Sequence, residues 1–285
     1  KIMDVLGVTP NELLSGEWKY IDHTEQEKMT PELKKAIDEA MTMVALEDLY
    51  RPYRPKRKTR ATVAKEKGLQ GLADIIMLQF LDHPLEEEAV KYINAEKEVL
   101  TTEDAIAGAM DIIAENISDN ADYRKSIRER TSARGNLIST AKDPEAESVY
   151  EMYYDFSSPV SKMTGHRTLA INRGEKEKFL TVKLEAPVDE IIGYLEKQNI
   201  VRDNKYTTDV LKAAIADSYD RLIAPAIERE IRNQLTEEAE DGAIKVFGTN
   251  LKQLLMQPPI TGHTVLGWDP AFRTGCKLAV VDATG

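Results

Sequence analysis

Across 207–239 the residues Leu211, Ile215, Leu222, Ile227, Ile231 and Leu235 form one apolar stripe at helical spacing, the feature that most constrains the fold. A helix this long with a single apolar face needs other helices to cover it. Most of the chain shares its period. Thr30-Pro31-Glu32-Leu33 places a capping residue before proline at the first helical position and opens a helix predicted over 31–50. Further helices are predicted over 71–81, 85–98, 102–117, 121–139, 145–155, 188–197 and 242–256. Met41, Met43, Met77 and Met110 read as core fillers on these helices. Pro225 lies inside the stripe and predicts a kinked helix over 207–239. Residues 168–174 and 179–184 alternate with period two across Gly174 and predict a β-hairpin at about 168–184. The expected class is mainly α: an irregular multi-helical array with helix-turn-helix-like elements and one inserted β-hairpin.

The segment Gln257-Pro-Pro-Ile-Thr-Gly262 punctuates the chain just where the period changes from helix to strand. It divides a multi-helical region, 1–260, from a strand-forming segment, 261–285. The chain opens on Lys1 rather than Met and stops soon after the apolar run Leu278–Val281, so a piece of a larger protein is expected. Cys276 is its single cysteine, which excludes an internal disulfide and suits a reducing, cytoplasmic setting. No apolar run reaches the roughly 20 residues of a membrane span, so no membrane partner is expected.

Charge is distributed unevenly. The formal net charge is −11, yet residues 51–67 carry eight cations against Glu66 alone, a net +7 that leaves −18 elsewhere. The densest part, Tyr50-Arg-Pro-Tyr-Arg-Pro-Lys-Arg-Lys-Thr-Arg60, holds Arg51, Arg54, Lys56, Arg57, Lys58 and Arg60, with prolines that keep it extended. Two readings are open: phosphate contact, with Tyr50 and Tyr53 as stacking faces, or a solvated loop against an acidic neighbour such as 86–88. A second cluster contains Arg124, Lys125, Arg128, Arg130 and Arg134; Arg124 and Arg128 share a helix face, as do Arg130 and Arg134. Lys162, His166, Arg167 and Arg173 form a third. Segment 102–134 has room for a helix-turn-helix reader, without a diagnostic spacing.

Enzymatic signals are sparse. His23, His83, His166 and His263 lie at no metal-ligand spacing and read as surface or capping residues. Phosphate-binding glycine loops and hydrolase motifs are absent, and no cofactor or metal is expected. Asp269 stands between the strand Val265–Trp268 and a turn leading to the strand Lys277–Val281. A carboxylate there resembles the first metal-holding acid of an RNase H-like sheet; it equally suits an Asp that starts a turn.

The blocks Glu47–Ala61, Tyr154–Arg167, Asn172–Lys176, Arg221–Arg232 and Gly267–Asp282 occur in the order of the Tex family of bacterial transcription accessory proteins. The resemblance runs from about residue 30 to the end; residues 1–28 match less well. It implies that 261–285 is the first β-hairpin of a truncated RNase H-like (YqgF-type) α/β domain, which family members generally do not use as a nuclease. Pro270, where active resolvase relatives usually have a small residue, points the same way. The resemblance also implies a non-enzymatic nucleic-acid-binding scaffold in transcription, with RNA, DNA, RNA polymerase or the ribosome as partners. Its main nucleic-acid-binding element, a C-terminal OB-fold, is expected beyond this chain. The alternatives are a metal-dependent nuclease and a protein-docking module whose acidic surface takes basic partners.

Overall fold

The computed structural model describes residues 30–53, 58–258, 260–271 and 275–283, and they are mainly helical. The helix expected over 31–50 is two helices, α1 (Pro31–Asp38) and α2 (Met43–Tyr50). Thr42 restarts the helix because its hydroxyl accepts from the Ala45 backbone N–H. Helices α3 (Arg60–Glu66), α4 (Gln70–Leu78) and α5 (Leu85–Ala89) follow.

Helix α6 (Thr102–Ser118) is the centre of the larger core. A reciprocal cap starts it: the Thr101 hydroxyl accepts from Asp104 N–H, and the Asp104 carboxylate accepts from Thr101 N–H. Ala105, Ala109, Ile112, Ile113 and Ile117 are buried on it. Small residues let α3 and α4 come close. At Gly108 an added Cβ would sit 2.3 Å from Leu69 Cδ1, so only glycine fits this crossing without displacing a neighbour.

Helix α7 (Ala121–Arg134) ends at Gly135, whose extended backbone leads into β1 (Asn136–Ala141) rather than continuing the helix expected to 139. Residues 145–155 also differ from expectation, with one 3₁₀ turn at Glu151–Tyr153 before β2 (Asp155–Pro159). The hairpin expected at 168–184 is replaced by helix α8 (Gly165–Lys176) and strand β3 (Leu180–Glu185). Thr168, Ile171 and Gly174 are buried at intervals of three, a helical face that the local alternation concealed. The partner of β3 is β1, with Leu137 opposite Leu184, in an antiparallel sheet of order β2-β1-β3. A second core forms where α8 meets this sheet, around Leu137, Tyr150, Tyr153, Ile171 and Leu180.

Helix α9 (Val188–Asn199) precedes the long stripe. There, α10 (Thr208–Asp217) passes through a π-helical stretch, Ser218–Ile223, into α11 (Ala224–Leu255). Pro225 has no N–H, and its ring opposes the carbonyl four residues earlier. The wider π turn accommodates this within an unbroken helical path. The separate helix expected at 242–256 is the end of α11. Beyond Ala239, residues 240–258 are all exposed. Met41, Met43 and Met77 are exposed rather than core fillers, while Met110 packs on the core.

Strands β4 (Val265–Asp269) and β5 (Lys277–Val281) pair antiparallel, with Trp268 opposite Leu278 and Leu266 opposite Val280. No helix among the described residues is long and apolar enough to cross a membrane.

Candidate nucleic-acid interface

The basic residues singled out by sequence have different environments. Arg124 is fully buried. Its Nε donates to Asp48 Oδ1 at 2.5 Å and its Nη2 to Glu230 Oε1 at 2.7 Å. Arg128 Nη2 donates to Asp48 Oδ2 at 2.6 Å and to Glu230 Oε2 at 2.7 Å. Burial opposes the charge on Arg128, but its bonds to Asp48 and Glu230 outweigh burial and raise its pKa. Two arginines and two carboxylates thus neutralise one another where α2, α7 and α11 meet. Arg124 has no surface to offer a phosphate, which corrects its assignment as a contact; Arg128 is engaged in the same network.

The outer end of α7 is tied down as well. Arg130 and Arg134 both donate to Glu190 of α9, and the Arg130 guanidinium lies 4.7 Å over the Tyr194 ring. Helices α6 and α7 do meet at a tight turn, Asp119–Asn120, but α7 buries Arg124, Ile127 and Thr131. Its outward face carries Asp122, Lys125, Glu129 and Arg134, acids among the cations, so it is not a purely basic face for a groove.

The strip at 51–60 is outside this network. Arg51 donates through Nε to Asp119 at 3.3 Å. Lys58 is exposed and lies 3.4 Å from Glu66, a solvent-screened pair. Arg60 is exposed and enters no direct ion pair among the described residues, though its charge reaches Asp111 and Asp217 and favours their ionised forms. Arg54, Lys56 and Arg57 lie outside the described residues. Of the acids at 86–88, Glu88 is engaged elsewhere: it accepts from Lys91 at 2.5 Å and lies 3.3 Å from His83 Nε2, while Glu86 and Glu87 are exposed. Beside the strip a cavity of about 430 Å³ is lined by Lys65 but also by the carboxylates Glu115 and Asp119, with Pro52, Thr62, Asn116 and Asn120.

On α8, Arg167 and Arg173 are exposed, as is Lys162 in the turn before it. The Arg167 guanidinium lies 5.9 Å from the Phe156 ring centroid. The inner side of α8 is fixed to α11: Arg232 donates to Glu175, and Asn172 Nδ2 donates to Thr236 Oγ1 at 2.8 Å. Asp269 is exposed and lies 3.5 Å from Lys277 Nζ across the β4–β5 pair. Among the described residues no group of three or more His, Cys, Asp or Glu side chains is placed to hold a metal ion.

Sequence reasoning missed Asp48 and Glu230 as the partners of Arg124. Its available signal was an acid within an apolar helical pattern, since a buried carboxylate needs a cation.

Residues 82–247 match the family model described as Tex central region-like. The chain belongs to the Tex family. Residues 263–285 match the Tex protein YqgF-like domain, which fits the strand pair β4–β5. The chain is 50% identical over 287 residues to Uncharacterized protein YdcI of Bacillus subtilis, covering 95% of this chain and 40% of that protein. It is 34% identical over 269 residues to Transcriptional accessory protein Tex of Neisseria gonorrhoeae, covering 92% and 35%. With S1 RNA-binding domain-containing protein 1 of Homo sapiens it shares 34% over 274 residues, covering 90% and 27%. The chain therefore spans well under half the length of these Tex-like relatives.

Proposed function

We propose that this chain is the helical body of a non-enzymatic transcription accessory scaffold that contacts RNA or DNA through phosphate-binding cations. The carrying observation is that Arg60, Arg167 and Arg173 are exposed and form no ion pair among the described residues. Lys58 adds a cation held only by an exposed pair. Cations of this kind displace counterions from a nucleic-acid backbone, which gives affinity without base readout. Family membership supports the reading, as do two relatives named for transcription and for an RNA-binding domain. A cytoplasmic setting and polymerase or ribosomal partners belong to the same proposal.

The test is binding of the chain to single-stranded RNA and to duplex DNA as salt is raised. The logarithm of the binding constant is expected to fall linearly with the logarithm of salt concentration. Reversing Lys58 and Arg60, or Arg167 and Arg173, to Glu should lower the slope by about 0.7–0.9 for each phosphate no longer neutralised. A variant with all four reversed that binds like the parent would remove these cations from the function.

A further inference from the structure

We propose that the cleft between α7, the exit of β3 and the π-helical stretch receives an alkylammonium chain, from a lysine of a protein partner or from a free polyamine. The cleft has a volume of about 250 Å³. Its apolar walls include Ile127, Leu184 and Ile227, a lining for a hydrocarbon stem. Thr131 also lines it, only 1% exposed, and its hydroxyl has no hydrogen-bond partner. An unmet buried hydroxyl is unfavourable, a deficit that a donor in the cleft would remove.

The polar lining has one sign. Glu185, Asp220 and Glu228 contribute to it, and no Lys or Arg does. Glu228 uses Oε1 to accept from Leu184 N–H at 3.0 Å, leaving Oε2 without a hydrogen bond among the described residues. Asp220 is exposed and makes no ion pair among them. Burial, then the charges of Asp220 and Glu228, raise the pKa of the Tyr219 phenol, so both carboxylates act at the cleft wall that Tyr219 forms.

The local backbone explains this arrangement. Tyr219 and Asp220 belong to the π turn, whose wider winding changes the direction of its side chains relative to a continuous α-helix. Three features define the ligand. Apolar walls favour a stem, carboxylates favour a cation and repel an anion, and the Thr131 oxygen accepts a bond. An ammonium has three donors to share among these oxygens. A purely apolar group leaves Thr131 unsatisfied.

Methyl and amide NMR of the full chain with Nα-acetyl-lysine methylamide, its norleucine counterpart and spermidine tests the assignment. Saturable shifts at Ile127, Thr131 and Ile227 with the lysine probe, and none with norleucine, are expected. Tighter binding of spermidine than of the lysine probe supports the cleft and assigns it to a free polyamine; the reverse order assigns it to a protein lysine. Asp220→Asn and Thr131→Val should each weaken the cation about three- to tenfold while melting as the parent does. Equal shifts from norleucine, no saturable shift with either cation, or full-strength binding by both variants would overturn the proposal. None of these readouts involves nucleic acid, so they stand apart from the phosphate-contact reading.

Discussion

Arg124 of α7 and Asp48 of α2 are 76 positions apart in sequence and meet at 2.5 Å in a site closed to solvent. Glu230 of α11 and Arg128 complete the group, so three helices share one charge-balanced junction. Removing one member leaves an uncompensated charge in the interior. Arg124→Leu is expected to destabilise the fold by about 3–5 kcal/mol in urea denaturation. A loss below about 1 kcal/mol would mean that the junction is not a structural tie. Arg128→Leu should cost less, since Arg128 retains some exposure.

Two helical glycines should respond in opposite directions to alanine. At Gly108 a methyl meets Leu69 at 2.3 Å, and overpacking is expected to cost about 1–3 kcal/mol. At Gly193 of α9 nothing lies within 4 Å of an added Cβ, so helix propensity alone should act. Gly193→Ala is expected to stabilise by about 0.5–1 kcal/mol. Matching changes in thermal melting at the two positions would refute the close crossing of α6 on Leu69.

His83 should titrate above the usual imidazole value of 6.5, because hydrogen bonds to Asp82 and then Glu88 favour its protonated form. A raised folded-state pKa gives a contribution to stability that is complete below 6.5. It is lost as pH rises through the raised value. An NMR titration of the His83 ring checks this. The midpoint should fall in Glu88→Gln, and a midpoint at or below 6.5 in the parent would contradict the hydrogen-bonded arrangement.

Asp269→Asn should leave both melting and nucleic-acid affinity nearly unchanged. Its pairing with Lys277 is exposed on both sides, where such pairs are worth about 0–1 kcal/mol. Cleavage by the full-length protein with magnesium or manganese, abolished by this substitution, would reverse the non-enzymatic reading.

The helical character of the chain was legible from spacing because α6 and α11 bury regular stripes such as Ile113–Ile117 and Ile227–Ile231. Errors arose where the deciding partner is remote. Thr168–Ile171 alternates like a strand, yet its burial is set by packing against Leu180 and Tyr150. Strand β1 pairs with β2 and, from 39 to 49 residues away, with β3, a pairing that local periodicity does not encode. Arg124 and Arg128 show the same limit in the site. Their spacing identifies a shared helix face, but only the fold shows that this face meets Asp48 and Glu230. Lys58, Arg60, Arg167 and Arg173 are exposed, and their composition was the whole of their signal.

The exposed end of α11 has a geometric consequence for whatever follows it. Between Glu240 and Leu255 no core residue fixes the helix, so its winding alone sets the direction in which the chain departs. One inserted residue there would turn the downstream segment by about 100° and advance it by about 1.5 Å. Seven would bring it back to within roughly 20° of its starting azimuth, about 10 Å further out. This stretch is thus a phase dial, in which the number of residues matters more than their identity.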